Sequence, residues 1–555
     1  MTNGRGHAPS YRRAFIDSLN ELARQQPDVL VDVRKLGPSG DYQLLELDLS
    51  TARMPRAGGG LPATDLETVR VLVPPWPVVP PVVYVTHQRF VGVPHVLTGN
   101  QLCIYLDPSR EWDPLQGAVG FMHRLYQWFE DAIAARFDPK TALWHAVGGR
   151  AHFTSNDEVV VCKHDLDLSR CLSFAWLTRI NERRHLLSSA SIDNLDSEQV
   201  LVVRLESPLY LGPGNNVEEV FSRLDPVLAK QALEAFSLRC KRRNGENMQD
   251  VHIVLAIPNA KAGTHHLQVG RVALDQLKEG PPRGLAVPVQ WQTVSDERPS
   301  ISTRRDASRP VAALAGVDVG LLGCGGLGSW LAEFILRAGA KSIELSDPGR
   351  ISGGLLVRQN YIDADVADPK AEALARRLRA ISPDCQVTVN ASPVISDRLR
   401  QLTQQEGALI IDATVNVAMA QTLDALAMTK ERMAVIAQVI TDVATGSLGM
   451  VAVSSPGSMS ALVLDEGARE VVLSTGSLER YRTFWEPRAE DEMIPALGCS
   501  IPTFHGSAAD LAGVAAEQIN LIARHLTHGG SGTYLFALPH TNVTPPYLFI
   551  EEPQA

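Results

Sequence analysis

Apolar positions at helical spacing open the chain. Phe15, Leu19 and Leu22, broken by Arg12, Arg13, Asp17 and Glu21, predict a helix over Ser10 to Gln25. Three runs rich in β-branched residues and Leu follow, Val29 to Val33, Tyr42 to Leu49 and Val69 to Val73, and predict a small antiparallel sheet. Pro74-Pro75-Trp76-Pro77 to Pro80-Pro81 then stops pairing, because proline brings no donor to a ladder. Helical spacing returns over Gly117 to Ala135. From about Ala151 to Leu277, strand-like runs (Val159 to Cys162, Val200 to Leu205, Val251 to Ile257) alternate with a helical stretch from Val217 to Cys240 and predict an α/β unit. Between Gly280 and Pro310 the composition turns to Pro, Gly, Ser and Arg, which marks a boundary. Beyond it, Val317 to Leu322 reads as a buried strand running into Gly323-Cys324-Gly325-Gly326-Leu327-Gly328, with helical composition over Ser329 to Ala338. The expected fold class is α/β multidomain: an α+β unit at 1–147, an α/β linker domain at 148–300 and a Rossmann-like unit at 301–555.

The length of 555 residues fits about three domains. Lys and Arg total 52 against 62 Asp and Glu, a formal charge of −10, so no basic field argues for nucleic acid as a partner. No apolar run approaches the roughly 18 residues of a membrane span, and no membrane partner is expected. Met1 to Phe15 lacks the apolar core of a leader, and seven scattered cysteines do not form a disulfide framework, so the expected compartment is a reducing cytoplasm.

A Gly-x-Gly-x-x-Gly turn between a strand and a helix lets backbone approach a phosphate at the positive helix end, and Gly323, Gly325 and Gly328 stand in that context. Asp347, 19 residues past Gly328 at the end of the expected second strand Ser342 to Leu345, is placed to accept from a ribose hydroxyl. To this point an NAD-dependent oxidoreductase fits equally well. Arg358-Gln359 and then Lys370, on an expected helix start, change the balance. A dinucleotide needs no such cations there, whereas attack on the α-phosphate of ATP needs them against the departing pyrophosphate.

In this order and spacing the residues resemble the adenylating domain of ubiquitin-activating enzymes and their bacterial ThiF/MoeB-type relatives, over roughly Val311 to Leu526. The resemblance implies that Gly323, Gly325, Gly328, Asp347, Arg358, Gln359 and Lys370 bind ATP, with Arg358 also catalytic. That family has a second Asp where this chain has Gly349, an Asn where it has Leu355, and a Mg²⁺-linked Asp where it has Val415. Asp412, at the end of an apolar run, is the substitute expected to hold Mg²⁺. The resemblance also implies a homodimer in which an arginine reaches the partner's site, with Arg304, Arg305 and Arg309 as candidates. Cys499, in Cys-x-x-Pro-Thr-Phe just ahead of an expected helix at Ala508 to Leu526, resembles the thioester cysteine of bacterial activating enzymes, and the helix end is expected to favour its thiolate.

A second cysteine stands near the start. Val93-Pro94-His95, then Gly99-Asn100-Gln101-Leu102-Cys103, then Trp112-x-Pro114, after the Pro-rich turn, resembles the active-site segment of ubiquitin-conjugating enzymes. That family carries His-Pro-Asn upstream of its cysteine; here His95 holds the Asn position, eight before Cys103. An imidazole there is expected to stabilise the oxyanion formed when an amine attacks a thioester. Trp112 is expected to pack beneath the Cys103 loop, and His265-His266 to lie on a solvated surface.

The joint architecture resembles the conjugating-plus-activating fusion proteins of bacterial CBASS antiphage operons. It implies a relay in which ATP and Mg²⁺ activate a protein's C-terminal carboxylate, Cys499 takes the acyl group, Cys103 receives it, and a target amine accepts it. In that group the modifier is a cGAS/DncV-like nucleotidyltransferase. The alternative is a sulfur-carrier-protein activating enzyme in which the conjugating-type domain only docks.

Overall fold

The computed structural model describes residues 11–552 except 88, 91–92, 98–99, 138–157, 208, 210–212, 215, 246–249, 260–263, 276–285, 302–303, 393, 415, 487–492, 497–498 and 503–505; for 243–245, 259, 493–496 and 499–502 it describes backbone alone. The chain divides between residues 303 and 304 into two compact units. Among the described residues no helix is long and apolar enough to cross a membrane.

The first unit opens with helix α1 (Tyr11–Gln25) and strands β1 (Leu30–Ser39), β2 (Tyr42–Ser50), β3 (Leu66–Val73), β4 (Val82–Tyr84) and β5 (Gln101–Leu102), which pair antiparallel in sequence order. Alternate residues of β2 and β3 turn inward, Leu45, Leu47, Val69 and Val71 among them, the period-2 pattern of a sheet with one wet face. Helix α2 (Pro108–Glu111) and helix α3 (Gly117–Ile133) follow. Phe121, Leu125 and Phe129 of α3 join Phe15 and Leu19 of α1 in one core on the sheet. Trp112 is buried, and its indole N–H donates to the Pro77 carbonyl at 2.6 Å, so it anchors the Pro-rich stretch as well as packing.

The middle segment mixes strands and helices, as expected of an α/β unit, and its strands close on themselves. Strands β6 (Val159–Cys162), β7 (Leu172–Asn181), β8 (Arg184–Ser188), β9 (Ser197–Arg204), β10 (Asp250–Asn259), β11 (Thr264–Ala273) and β12 (Gln290–Asp296) close into a barrel in the order β10-β11-β12-β6-β8-β7-β9. Val160, Leu177, Val200, Val202, Val254 and Val269 form one apolar cluster, while opposite-parity residues such as Leu201, Val203 and Ile253 pack with α4 (Val217–Ser222) and α5 (Pro226–Gly245) in another. The single helix expected over Val217 to Cys240 is two. Asp225 accepts from the Val227 and Leu228 N–H groups, and Pro226 opens α5, a start signal in mid-pattern. His265 and His266 lie half-buried in β11 rather than on a solvated surface, and burial lowers both their pKa values.

The second unit is built on β13 (Asp318–Leu322), α6 (Gly328–Arg337), β14 (Ser342–Ser346), α7 (Lys370–Ile381), β15 (Gln386–Asn390), α8 (Asp397–Thr403), β16 (Leu409–Asp412), α9 (Val417–Ala427), β17 (Val435–Thr441), β18 (Leu448–Ser454), α10 (Ala461–Ser474), β19 (Met493–Ala496), β20 (Cys499–Pro502), α11 (Ala508–His528), β21 (Gly532–Ala537) and β22 (Tyr547–Glu551). The main sheet runs β15-β14-β13-β16-β17-β18-β21-β22. Its first five members are parallel and the last three antiparallel. Val319, Leu321, Ile343 and Leu345 are fully buried with Leu331, Ile335 and Ile522 from the helices, the near-continuous apolar strands of a parallel sheet covered on both faces. β13 pairs with β14 on one side and β16 on the other. The crevice at their carboxyl ends is the switch point where open α/β sheets bind ligands.

Candidate functional site

A cavity of about 390 Å³ opens at that switch point, inside the roughly 300–1,000 Å³ range of small-molecule sites. Gly323, Gly325, Gly326 and Leu327 line it from the turn, Asp347 from the end of β14, Gln359 and Lys370 from beyond, and Thr414, Asn416 and Thr441 from the far side. No side chain caps α6, and Ser329 N and Trp330 N donate to the Gly325 and Leu327 carbonyls at 3.1 and 3.0 Å, so an anion at this helix end would meet the N–H groups of the glycine turn ahead of it. The two oxygens of Asp347 each hold a loop, accepting from Cys324 N at 2.8 Å and Gly349 N at 2.7 Å. A Cβ at Gly349 would stand 2.9 Å from Asp347 Oδ1 and 3.4 Å from Lys370 Nζ. A side chain at 349 would therefore crowd both Asp347 and Lys370.

Arg358 is half-buried beside the lining residues, and burial lowers its guanidinium pKa. Its segment is fastened at three positions. Trp330 donates to the Arg358 carbonyl at 3.3 Å, Ser329 Oγ accepts from Asn360 N at 3.1 Å, and the Tyr361 hydroxyl donates to the Cys324 carbonyl at 2.6 Å. Glu333 of α6 is the hub, accepting from Asn360 Nδ2 at 2.8 Å, Arg377 Nε at 2.9 Å and Arg337 Nη2 at 2.8 Å. Sequence reading missed Glu333, Asn360 and Tyr361, since none belongs to a chemical motif; the Asn-Tyr directly after Arg358-Gln359 was the available signal. Burial pushes the Glu333 pKa up, but the three hydrogen bonds outweigh it and hold the carboxyl below its ordinary value. A carboxyl so held stabilises the fold above its unfolded pKa, about 4.3, and that contribution is lost as pH falls through the lower folded value. Glu333→Gln is expected to unfold about 1–3 kcal/mol more easily at pH 7, with the gap closing toward pH 3. Denaturant titrations at both pH values check this, and an equal gap at both contradicts it.

Asp412 does not line this cavity. Its carboxylate is buried, accepts from Thr414 N at 2.9 Å and Thr414 Oγ1 at 2.6 Å, and faces a small separate pocket with Asp424 and Gln438. Burial raises its pKa despite those bonds. Among the described residues there is no group of three or more metal-ligating side chains, and Val415 lies outside them. Asp412 as placed does not fit the role of a Mg²⁺ ligand. Of the arginines considered for a partner's site, Arg304 is engaged within its own chain, by Asp306 at 2.6 Å and the Arg337 carbonyl at 2.8 Å.

Cys499 opens β20, pairing with Ala496 across the β19–β20 hairpin. Its side chain, and Phe504 and His505, lie outside the described residues. The start of α11 is closed by a Ser507–Asp510 capping box. The first helical N–H, of Ala508, donates to the Val357 carbonyl at 2.8 Å. That bond joins the chain running on from Cys499 to the loop bearing Arg358 and Gln359. Gly506 approaches Gly446 and Thr445, in the turn that follows the cavity residues Thr441 and Val443.

In the first unit Cys103 is half-buried; its thiol donates to the Tyr105 carbonyl at 3.3 Å, and its N–H donates to the His95 carbonyl at 2.8 Å. Burial and Glu111 push the thiol pKa up, and Arg124 opposes them. His95 adopts φ of 64° and is 4% exposed, with its ring edge-on to Phe137 at 4.5 Å. Cys162, Cys324 and Cys385 are buried.

A family model described as the ThiF family matches residues 305–476, and one described as Prokaryotic E2 family A matches residues 45–160. The chain is 32% identical over 117 residues to the tRNA threonylcarbamoyladenosine dehydratase of Escherichia coli (strain K12), covering 21% of this chain and 44% of that protein. It is 35% identical over 99 residues to the sulfur carrier protein ThiS adenylyltransferase of Bacillus subtilis (strain 168), covering 17% and 29%. E. coli MccB crystallised with ATP superposes with a TM-score of 0.31 at 14% identity, covering 44% of this chain and 67% of that one. The chain thus spans less than half the length of these two curated relatives. One polypeptide therefore carries a ThiF adenylation domain and a Prokaryotic E2 family A domain.

Proposed function

We propose that the protein is an ATP-dependent conjugating enzyme that activates the C-terminal carboxylate of a protein and transfers it through two cysteines to an amine. The observation that carries this reading is the cavity at the switch point, where glycine backbone, Asp347, Gln359 and Lys370 converge beside Arg358. The Val357–Ala508 bond supports it by tying the Cys499 segment to that loop. In the first step a carboxylate oxygen attacks the α-phosphorus of ATP; the new C(O)–O–P bond forms as the α–β phosphoanhydride breaks and pyrophosphate leaves. No general base is required, because the carboxylate is already ionised at pH 7. The backbone N–H groups ahead of α6 hold phosphate oxygens, and Lys370 and Arg358 offset the charge growing on pyrophosphate. The Cys499 thiolate then displaces AMP to form a thioester. The Cys103 thiolate displaces that of Cys499 in turn, and an amine displaces the Cys103 thiolate, losing a proton as the amide forms.

The modifier we infer from the resemblance to CBASS fusion proteins is a cGAS/DncV-like nucleotidyltransferase, with the enzyme acting as a homodimer in antiphage defence. A second reading, sulfur-carrier activation, is favoured by the likeness to the sulfur carrier protein ThiS adenylyltransferase of Bacillus subtilis and by the raised thiol pKa of Cys103. Incubation with ATP·Mg²⁺ and a candidate carrier protein separates them. Wild type is expected to form thiol-labile adducts at both cysteines, Cys103→Ala to retain the one on Cys499, and Cys499→Ala to lose both. Full turnover by Cys103→Ala selects the second reading, and charging of Cys103 without Cys499 contradicts the relay's order.

A further inference from the structure

We propose that Arg124 is a positioning residue for Cys103, holding through Glu111 the backbone against which the thiol rests and supplying the positive charge that balances that carboxylate beside the sulfur. Arg124 projects from α3, and its Nε donates to the Ile104 carbonyl at 2.7 Å while its Nη2 meets Glu111 Oε2 at 3.1 Å. Glu111, from α2, accepts in turn from Leu106 N at 3.3 Å and Asp107 N at 3.0 Å. The turn after Cys103 is thus gripped at residues 104, 106 and 107, and the intervening residue, Tyr105, provides the carbonyl that accepts the thiol proton. The two-residue strand β5 carries few ladder bonds, so this grip adds to the Cys103–His95 backbone bond and to the burial of Ile104 and Tyr105 in fixing the chain beyond Leu102.

The arrangement is also an electrostatic one. Among the described residues, the charged and titratable groups about the thiol are Glu111 of α2, Arg124 of α3 and Tyr105 of its own segment, with Tyr11 of α1 in electrostatic reach of Tyr105. His95 meets Cys103 through its carbonyl. Glu111 disfavours a thiolate and Arg124 favours one, so Arg124 opposes the carboxylate's effect at the sulfur while its bonds fix the backbone. A carrier cysteine benefits from that balance: a thiolate too strongly stabilised is a poor attacking group, and an unbalanced carboxylate would suppress it.

The inference rests on Cys103 as an acyl carrier, and its test runs without ATP or carrier, so the two stand or fall separately. Full-length protein is alkylated with iodoacetamide between pH 7 and 11, and modification of the Cys103 peptide is followed by mass spectrometry. Arg124→Gln is expected to slow alkylation at pH 8 by about three- to tenfold and move the pH midpoint upward, whereas Glu111→Gln speeds it by a similar factor and moves the midpoint down. Arg124→Lys, which keeps the charge, restores a midpoint near wild type. An unmoved midpoint in Arg124→Gln, with the rate altered equally at every pH, overturns the charge-balancing role. Should Arg124→Gln fail to fold, the near-isosteric Glu111→Gln decides the matter alone, and an unchanged midpoint there overturns the proposal.

Discussion

Lys370→Ala is expected to lower carrier-dependent ATP–pyrophosphate exchange by about 10²–10³-fold while leaving the protein folded, the size of loss seen when one preorganised charge-stabilising donor is removed. The residue lines the cavity at the switch point, and its backbone N–H donates to the Gly349 carbonyl at 2.9 Å, which pins the start of α7 beside that cavity. Pyrophosphate carries more charge at departure than when bound within ATP, so a fixed ammonium acts more strongly in the transition state than in the ground state. The loss should therefore fall on the maximal exchange rate more than on the ATP concentration needed for half of it. The backbone bond survives truncation to alanine, so the helix start should persist. Arg376→Ala supplies the control: that residue lies on the same helix but is exposed, paired with Asp365 at 3.0 Å and Asp368 at 2.5 Å, and is expected to leave exchange unaltered. Exchange kinetics with purified carrier decide the question. Loss confined to the half-saturating ATP concentration, or equal loss in both variants, removes Lys370 from the role.

The elements around this cavity were legible because their signals are local. Apolar runs of β13 and β14, the glycine turn between β13 and α6, and the amphipathic spacing of α1 and α3 each lie within one stretch of chain, and the structure places them within a few residues of expectation. What stayed hidden depends on distant partners. Barrel closure needs β6 to pair in parallel with β12, and β9 with β10 across the whole α4–α5 insertion, and no periodicity announces such a match. His95 faces Phe137, beyond α3, and Asp412 accepts from Thr414 and lines a second, small pocket; a residue type at a motif position does not state which way its side chain points. Glu333 and Tyr361 were unreadable for the same reason, since their importance lies in fastening segments far apart in sequence.

The glycine turn gives the second large effect, and it separates two reasons for being glycine. At Gly328 an added Cβ would stand 1.9 Å from the Gly323 carbonyl oxygen, and at Gly323, where φ is +86°, it would meet the Ala413 carbonyl oxygen at 2.8 Å. Both neighbours are backbone, which has no rotamer by which to give way. Gly328→Ala must therefore force the turn off the start of α6, and a loss of about 3 kcal/mol in stability is expected from overpacking at a rigid site. Gly325 differs. Its φ is not in the left-handed region, and its added Cβ would meet only Gln359 Nε2 at 3.9 Å, on the open side that lines the cavity. Gly325→Ala is expected to fold with stability within about 0.5 kcal/mol of wild type, yet to bind ATP at least about tenfold more weakly, because a methyl group there keeps phosphate oxygens from the backbone N–H groups. Thermal unfolding together with calorimetric titration of ATP separates the two. If Gly325→Ala binds ATP as wild type does, the triphosphate does not lie along this turn. A Gly328→Ala protein as stable as wild type would mean that the turn relaxes without strain, and the packing account of that position would fail.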